Sequence, residues 1–278
     1  MSKINNISSS ATIHPTAIIA PSVIIEDLVK IGPYCHIEGN VTLKKSVKLH
    51  SHVCITGNTE IGSGTEIFPF ASLGYQPQDL KYAGEESALI IGEHNVIREY
   101  VTMHPGTKHG LMKTVVGDNC LFMVGCHIAH DCIIGNNVII ANNAGLAGHV
   151  VLEDNVIIGG LSGIHQFVRI GKYSMIGGMT AVRESVIPYG VIVGPKGTLE
   201  GVNNVGMKRA NFDRKDIEAA ADVFKKIFFE QERVMSERIE EAANFFSGSH
   251  VVQDILDFIK NNNQRAICMP KDDKNFRR

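Results

Sequence analysis

Residues 128–152 read IAHDCIIGNNVIIANNAGLAGHVVL, with an aliphatic side chain at Ile128, Ile134, Ile140, Leu146 and Leu152. The period is six, and it extends in both directions. Towards the amino terminus it passes through Phe122 and Val116, a weaker stretch at Met103, Ile97 and Ile91, and an unbroken run from Leu73 back to Ile13. Towards the carboxyl terminus it continues through Ile158, Ile164, Ile170, Ile176 and Val182. Four residues after most of these aliphatics stands a small or β-branched residue, such as Val41, Val53, Thr65, Cys126, Cys132 or Ala144. An α-helix, at 3.6 residues per turn, would smear such a period around its surface. Short strands with alternate residues inward, joined by sharp corners, use it directly. Three six-residue faces per coil give a parallel β-helix in which like residues stack at the strand spacing of about 4.8 Å. Gly, Asn and Asp after the aliphatics, as in Ile134-Gly135-Asn136-Asn137, suit those corners.

The ladder defines the organisation of the 278 residues. Residues 1–12 are a lead-in, 13–190 the β-helix, and 191–278 a carboxyl-terminal unit with helical spacing at Ile217, Ala220, Phe224 and Ile227, and again at Val251, Val252, Ile255 and Phe258. The final dozen residues, rich in charge, are expected to fray. Register breaks at about 74–87 and 106–115 must leave the prism as loops, where binding groups commonly sit. The expected class is therefore mainly β, a β-helix followed by a small α-helical domain.

Composition excludes several functions. Net charge is −2, from 27 basic and 29 acidic residues, so no global field favours nucleic acid or an anionic membrane. Six cysteines are too few for a disulfide scaffold, the start MSKINNISSS lacks a signal-peptide layout, and no apolar run approaches the ~18 residues of a membrane span. A cytoplasmic protein is expected. Cys120, Cys126 and Cys132 repeat at six-residue spacing but fall on the small inward position, which makes them packing residues and not metal ligands. No metal site is expected.

His127, His130, His149 and His165 all fall outside the inward positions, within a few coils of one another. Imidazole has an ordinary pKa of about 6.5, which suits general-base work at neutral pH. A hydroxyl attacking a thioester needs such a base, and the resulting oxyanion needs a donor. Gly148, beside His149, would allow a backbone N–H to approach closely.

The segments His127-Ile128-Ala129-His130-Asp131-Cys132, Leu146-Ala147-Gly148-His149-Val150, His165-Gln166-Phe167 and Gln78-Asp79-Leu80-Lys81-Tyr82-Ala83-Gly84-Glu85 together resemble the UDP-N-acetylglucosamine O-acyltransferases of lipid A biosynthesis. The resemblance spans the solenoid, both loops and the helical tail. It implies a left-handed coil, and transfer of a 3-hydroxyacyl chain from acyl carrier protein to the 3-hydroxyl of UDP-N-acetylglucosamine. No cofactor is implied, since the chain arrives on the phosphopantetheine arm of the carrier. The resemblance assigns the general base to His130 and the oxyanion donor to the Gly148 N–H. Asp79, Lys81, His127, His149, His165 and Gln166 would surround sugar nucleotide and acyl chain, in sites between subunits of a homotrimer. Asn203 and Arg209 would reach them from the neighbouring subunit, and Gly178 would gauge acyl length. Lys196, Val205 and Ala210 depart from the residues usual at those places. A basic excess at Lys196, Lys208, Arg209, Arg214 and Lys215 suits an acidic carrier protein.

Two other functions fit the prism. An acetyl-CoA-dependent hexapeptide acetyltransferase would share the His base, but not the helical tail and the DLKYAGE loop. A zinc-dependent hydration enzyme would use three shared His, for which His104 and His109 are five apart, but the HIAHDC pair is three apart.

Overall fold

The computed structural model describes residues 6–230, 233–246, 248–262 and 264–271. Most strands are two residues long, one outward and one inward, and these pair in parallel with the strand one coil away. The result is a mainly β solenoid of three sheets with eleven, nine and eight strands. Along the eleven-stranded sheet Ile13, Ile31, Leu49, Ile67, Ile97, Phe122, Ile140, Ile158, Ile176 and Ile192 stand in one inward column. From Leu49 onward each is at most 2% exposed. Phe122, the bulkiest member, occupies the same slot as its aliphatic neighbours. Cys120, Cys126 and Cys132 pack inside as read, and burial pushes their thiols up to about 11, about 12 and about 12.

The corners use left-handed backbone more widely than the glycine count suggests. Tyr34, His52, Phe70, Tyr100, Asp131, His149 and Phe167 all have φ between 57° and 66°. That conformation costs an ordinary L-residue about 1–2 kcal/mol. Most of these corners set against it a turn-to-turn bond, such as His52 N–H to Pro33 O at 3.0 Å or His149 N–H to His130 O at 3.0 Å. Bulky side chains at these positions stack outside the prism, His149 on Phe167 with ring centres 4.4 Å apart.

Four places differ from the sequence reading. The ladder begins a rung early, because Ile7 bridges Ile25 in parallel. Residues 113–115, read as loop, form the strand Lys113–Val116 against Ala88–Ile91, with Thr114 buried at an inward position that normally holds an aliphatic. The ladder does not end at residue 190: Gly190–Val193 adds one more parallel rung, and Thr198–Val202 then pairs with it antiparallel. Pro188 is tolerated because it sits in the turn before that rung, where no ladder N–H is required. Finally, Ile267 bridges Ser185, so this part of the tail is paired and not frayed; the charged residues 272–278 lie outside the described residues.

Helices α1 (Asn204–Arg209), α2 (Arg214–Phe229), α3 (Met235–Phe245) and α4 (His250–Lys260) cover the last coils. Their apolar stripes meet one another, and the contact with the prism is polar at one point: Asp254 of α4 accepts from Lys172 Nζ at 2.7 Å and from Tyr189 Oη at 2.5 Å. Among the described residues no helix is long and apolar enough to cross a membrane.

Because Ile140 is fully buried in its column, Ile140→Ala should lower unfolding free energy by about 2–5 kcal/mol in chemical denaturation. A loss below about 1 kcal/mol would show that the column tolerates a void.

Candidate active site

The outward face of the nine-stranded sheet changes character midway. Its outward column runs His36, Cys54, Ser72, Thr102 and His127, then Gly145, Gly163 and Ala181. Neither glycine has a positive φ, and a Cβ on either would meet nothing within 4 Å. The backbone does not need glycine there; the missing side chains are depth. They floor a groove of about 510 Å³ lined also by His127, His130, Gly148, His165 and Gln166, with Gln78 of the first loop on its rim.

At the corner leaving this sheet, each coil places a functional residue one rung above the last. His130 is 7% exposed, although its position points outward. Its Nδ1 lies 2.9 Å from Asp131 Oδ2. The Asp131 carboxylate is buried and accepts in addition from Thr107 N–H at 3.1 Å, Thr107 Oγ1 at 2.6 Å and Leu111 N–H at 2.7 Å. Burial raises the pKa of this carboxyl; hydrogen bonds from Thr107, His130 and Leu111 outweigh it and hold the group below the ordinary carboxylate range. An ionised acceptor at Nδ1 fixes the proton there and leaves the lone pair on Nε2.

Gly148 stands one coil above His130. A Cβ on it would lie 2.6 Å from His130 Nε2, so only glycine leaves room for the ring. Among the described residues nothing accepts from the Gly148 N–H, while its carbonyl receives Phe167 N–H at 3.3 Å. His149 packs edge-on to His130 at 5.1 Å, with Nε2 4.0 Å from Asp131. Burial lowers its pKa, and the charge of Asp131, with a smaller contribution from Asp79, works against that.

His127 Nδ1 contacts Thr102 Oγ1 at 2.7 Å, and burial followed by the charge of His130 lowers its pKa. His104, 6% exposed, lies edge-on to it at 4.9 Å with no partner on Nδ1 among the described residues. Burial, then His127 and His130, bring His104 down to about 4.

Of the residues singled out from sequence, His127, His130, Gly148, His165 and Gln166 meet in the groove, and Asp79 and His149 adjoin it. Lys81 is exposed on its loop and its backbone N–H caps Asp79 at 3.0 Å. Gly178 is at the corner on the opposite edge of the same sheet, where a Cβ would press on Gly160 O at 3.2 Å; it does not line the groove. Asn203 caps α1 through Gly206 N–H at 2.9 Å and donates to Tyr173 O at 2.8 Å, and Arg209 is exposed at the end of α1. Neither reaches the groove of its own chain. Sequence reading passed over Asp131 and the floor glycines, and weighed His104 only as a zinc ligand of the alternative hydration enzyme, not as a neighbour of His127. The floor glycines carried a legible signal: they take outward strand positions, where no corner calls for them.

Residues 186–268 match the family described as Udp N-acetylglucosamine O-acyltransferase; Domain 2, and residues 113–148 match the bacterial transferase hexapeptide (six repeats). A curated relative from Rickettsia canadensis, named acyl-[acyl-carrier-protein]--UDP-N-acetylglucosamine O-acyltransferase, is 56% identical over 94% of this chain and 98% of its own. This chain belongs to the UDP-N-acetylglucosamine O-acyltransferase family. Solved structures of UDP-N-acetylglucosamine acyltransferases agree. The Campylobacter jejuni enzyme superposes with TM-score 0.87 at 34% identity, covering 94% of this chain and all of that one. The Moraxella catarrhalis enzyme gives 0.82 at 39%, covering 94% and 99%. Family membership makes the chain an acyltransferase, and the acetyl-CoA alternative is not favoured.

His104 is held neutral in the fold down to about pH 4, whereas the unfolded chain takes up a proton near 6.5. Unfolded protein binds more protons across that window, so this contribution to stability falls as pH drops from about 6.5 to about 4. His104→Gln should flatten that limb of a stability-versus-pH curve; an unchanged slope would mean that His104 is protonated in the fold.

Proposed function

We propose that this chain transfers a 3-hydroxyacyl group from acyl carrier protein to the 3-hydroxyl of UDP-N-acetylglucosamine, the first step of lipid A biosynthesis. One observation carries the mechanism: an imidazole held by a buried carboxylate presents its free nitrogen beside a backbone N–H that has no acceptor among the described residues, at the wall of a glycine-floored groove. His130 Nε2 takes the proton of the sugar hydroxyl as its oxygen attacks the thioester carbonyl carbon. The carbonyl oxygen becomes an oxyanion that the Gly148 N–H stabilises. Collapse reforms the carbonyl and breaks the C–S bond, and the proton on His130 passes to the departing phosphopantetheine thiolate. Asp131 keeps the ring in the productive tautomer and balances its charge during the transfer.

The groove floored by Gly145, Gly163 and Ala181 suits an acyl chain, and Asp79, Lys81, His127, His149, His165 and Gln166 are the residues for donor and nucleotide. No metal or redox cofactor enters this scheme. Asp131 supports that reading, since its two oxygens already receive three donors besides His130. The reaction belongs in the cytoplasm, with acyl carrier protein meeting the basic surface near α1. Among the described residues no acidic group lies within ion-pair reach of Lys196, Lys208 or Arg209, whereas Arg214 pairs with Glu218 at 2.7 Å. A homotrimer accounts for Leu80, fully exposed on the first loop, and for the exposed Leu161 and Met179 on the corner column that flanks the groove. It would also give Asn203, Arg209 and Gly178 a neighbour's ligand to meet.

Purified protein should turn over 3-hydroxyacyl carrier with UDP-N-acetylglucosamine and ignore acetyl-CoA; failure with every 3-hydroxyacyl donor sinks the function. His130→Ala should lower kcat by at least about 10²–10⁴-fold, and Asp131→Asn by a similar factor through the wrong tautomer. Near-normal turnover by either variant would remove it from this role. Gly178→Met should shift donor preference to shorter chains, and raised salt should increase KM for the carrier while leaving KM for the nucleotide sugar nearly unchanged.

A further inference from the structure

The end of the chain returns to the groove. Beyond α4 the backbone runs beside the last coils, with Ser185 N–H donating to Ala266 O at 2.8 Å and Cys268 N–H to Ser185 O at 2.8 Å. Cys268 is 2% exposed, and its thiol donates to Gly197 O at 3.2 Å. This register delivers Arg265 to two groove residues a hundred positions earlier. Arg265 Nε donates to Gln166 O at 2.9 Å, and Nη2 stands 3.0 Å from His165 Nδ1.

A guanidinium can only donate, so Nδ1 of His165 supplies the lone pair and carries no proton. The competing use of Nδ1, donation to Gln166 O, would span 3.4 Å to an oxygen that Arg265 already occupies. The ring proton is thereby assigned to Nε2, on a side chain that lines the groove. An imidazole in that state offers an N–H to an acceptor oxygen and cannot take a proton there.

We propose that Arg265 is a positioning residue for the transfer reaction: by clamping Gln166 O and His165 Nδ1 together it fixes His165 as an Nε2–H donor to a carbonyl or phosphate oxygen of bound substrate. The identity of the substrate rests on the acyl-transfer reading; the tautomer does not.

Two measurements on the full chain separate these. In protein labelled with ¹⁵N-histidine, with His165→Gln to assign the signals, long-range ¹H–¹⁵N spectra should show His165 protonated at Nε2 alone, and Arg265→Met should move it to an average of both tautomers. A proton at Nδ1 in the parent protein, or no change in the variant, overturns the proposal. This readout needs no turnover, so an inactive protein with the expected spectra would refute acyl transfer and leave the positioning intact. In the assay, Arg265→Met should lower kcat/KM about tenfold, the worth of one hydrogen bond, and less than twofold in a His165→Gln background. A raised KM for the acyl carrier identifies the carbonyl, a raised KM for the nucleotide sugar the phosphate, and full additivity of the two substitutions overturns the coupling. Arg265→Lys keeps the charge but cannot span both acceptors, and serves if the methionine variant fails to fold.

Discussion

Everything in this molecule hangs on the turn-to-turn hydrogen bond. Ile18 N–H meets Cys35 O, His36 N–H meets Val53 O, and the pattern repeats up the prism. Each coil is thereby locked one strand spacing above the previous one, and a residue's neighbour in space is the residue one coil away in sequence. Packing, corners and chemistry all become columns. A column of aliphatics is a core, a column of left-handed corners is an edge, and a column with its side chains removed is a groove.

The reactive cluster is the same geometry applied to polar groups. Asp131 and His149 share a corner column, and Gly148 lies over the ring of His130, so the base and the oxyanion donor come from adjacent coils. What the ladder alone does not supply is charge balance. Asp131 is buried, and its ionised form survives because the loop after Met103 turns Thr107 and Leu111 N–H groups onto it. Gly110 lets that loop close, since a Cβ there would sit 2.2 Å from the carboxylate carbon. The same carboxylate thus anchors a loop and orients a base. The cost of burying it is met by hydrogen bonds from that loop and from His130.

Features that follow the six-residue period were legible in the sequence, and features made by departures from it were not. The inward columns, the packed cysteines and the outward histidines follow from counting. Asp131 was quoted in its motif but looks like any corner residue, because its partners lie in an aperiodic loop. His104 was noticed only for its five-residue spacing to His109; its packing against His127 comes from the coil stacking and not from that spacing. The rung at Gly190–Val193 hid behind Pro188, whose usual meaning is termination. Arg265 is out of reach of local reading, since its register is set by the pairing of Ser185 with Ile267. The helical cap was visible from its amphipathic spacing, while its anchorage on Asp254, Lys172 and Tyr189 depends on folded geometry.

The reversal of direction at Thr198–Val202 has a further consequence. A parallel β-helix is in principle an open-ended stack: its last coil presents the same row of donors and acceptors that recruited every coil before it, and a second molecule could add there. The antiparallel strand changes the pattern of the row, and the helices and the returning tail cover what remains. In the language of growing fibres, the cap is a stopper, and it lets a sequence built by repetition end at a finite size.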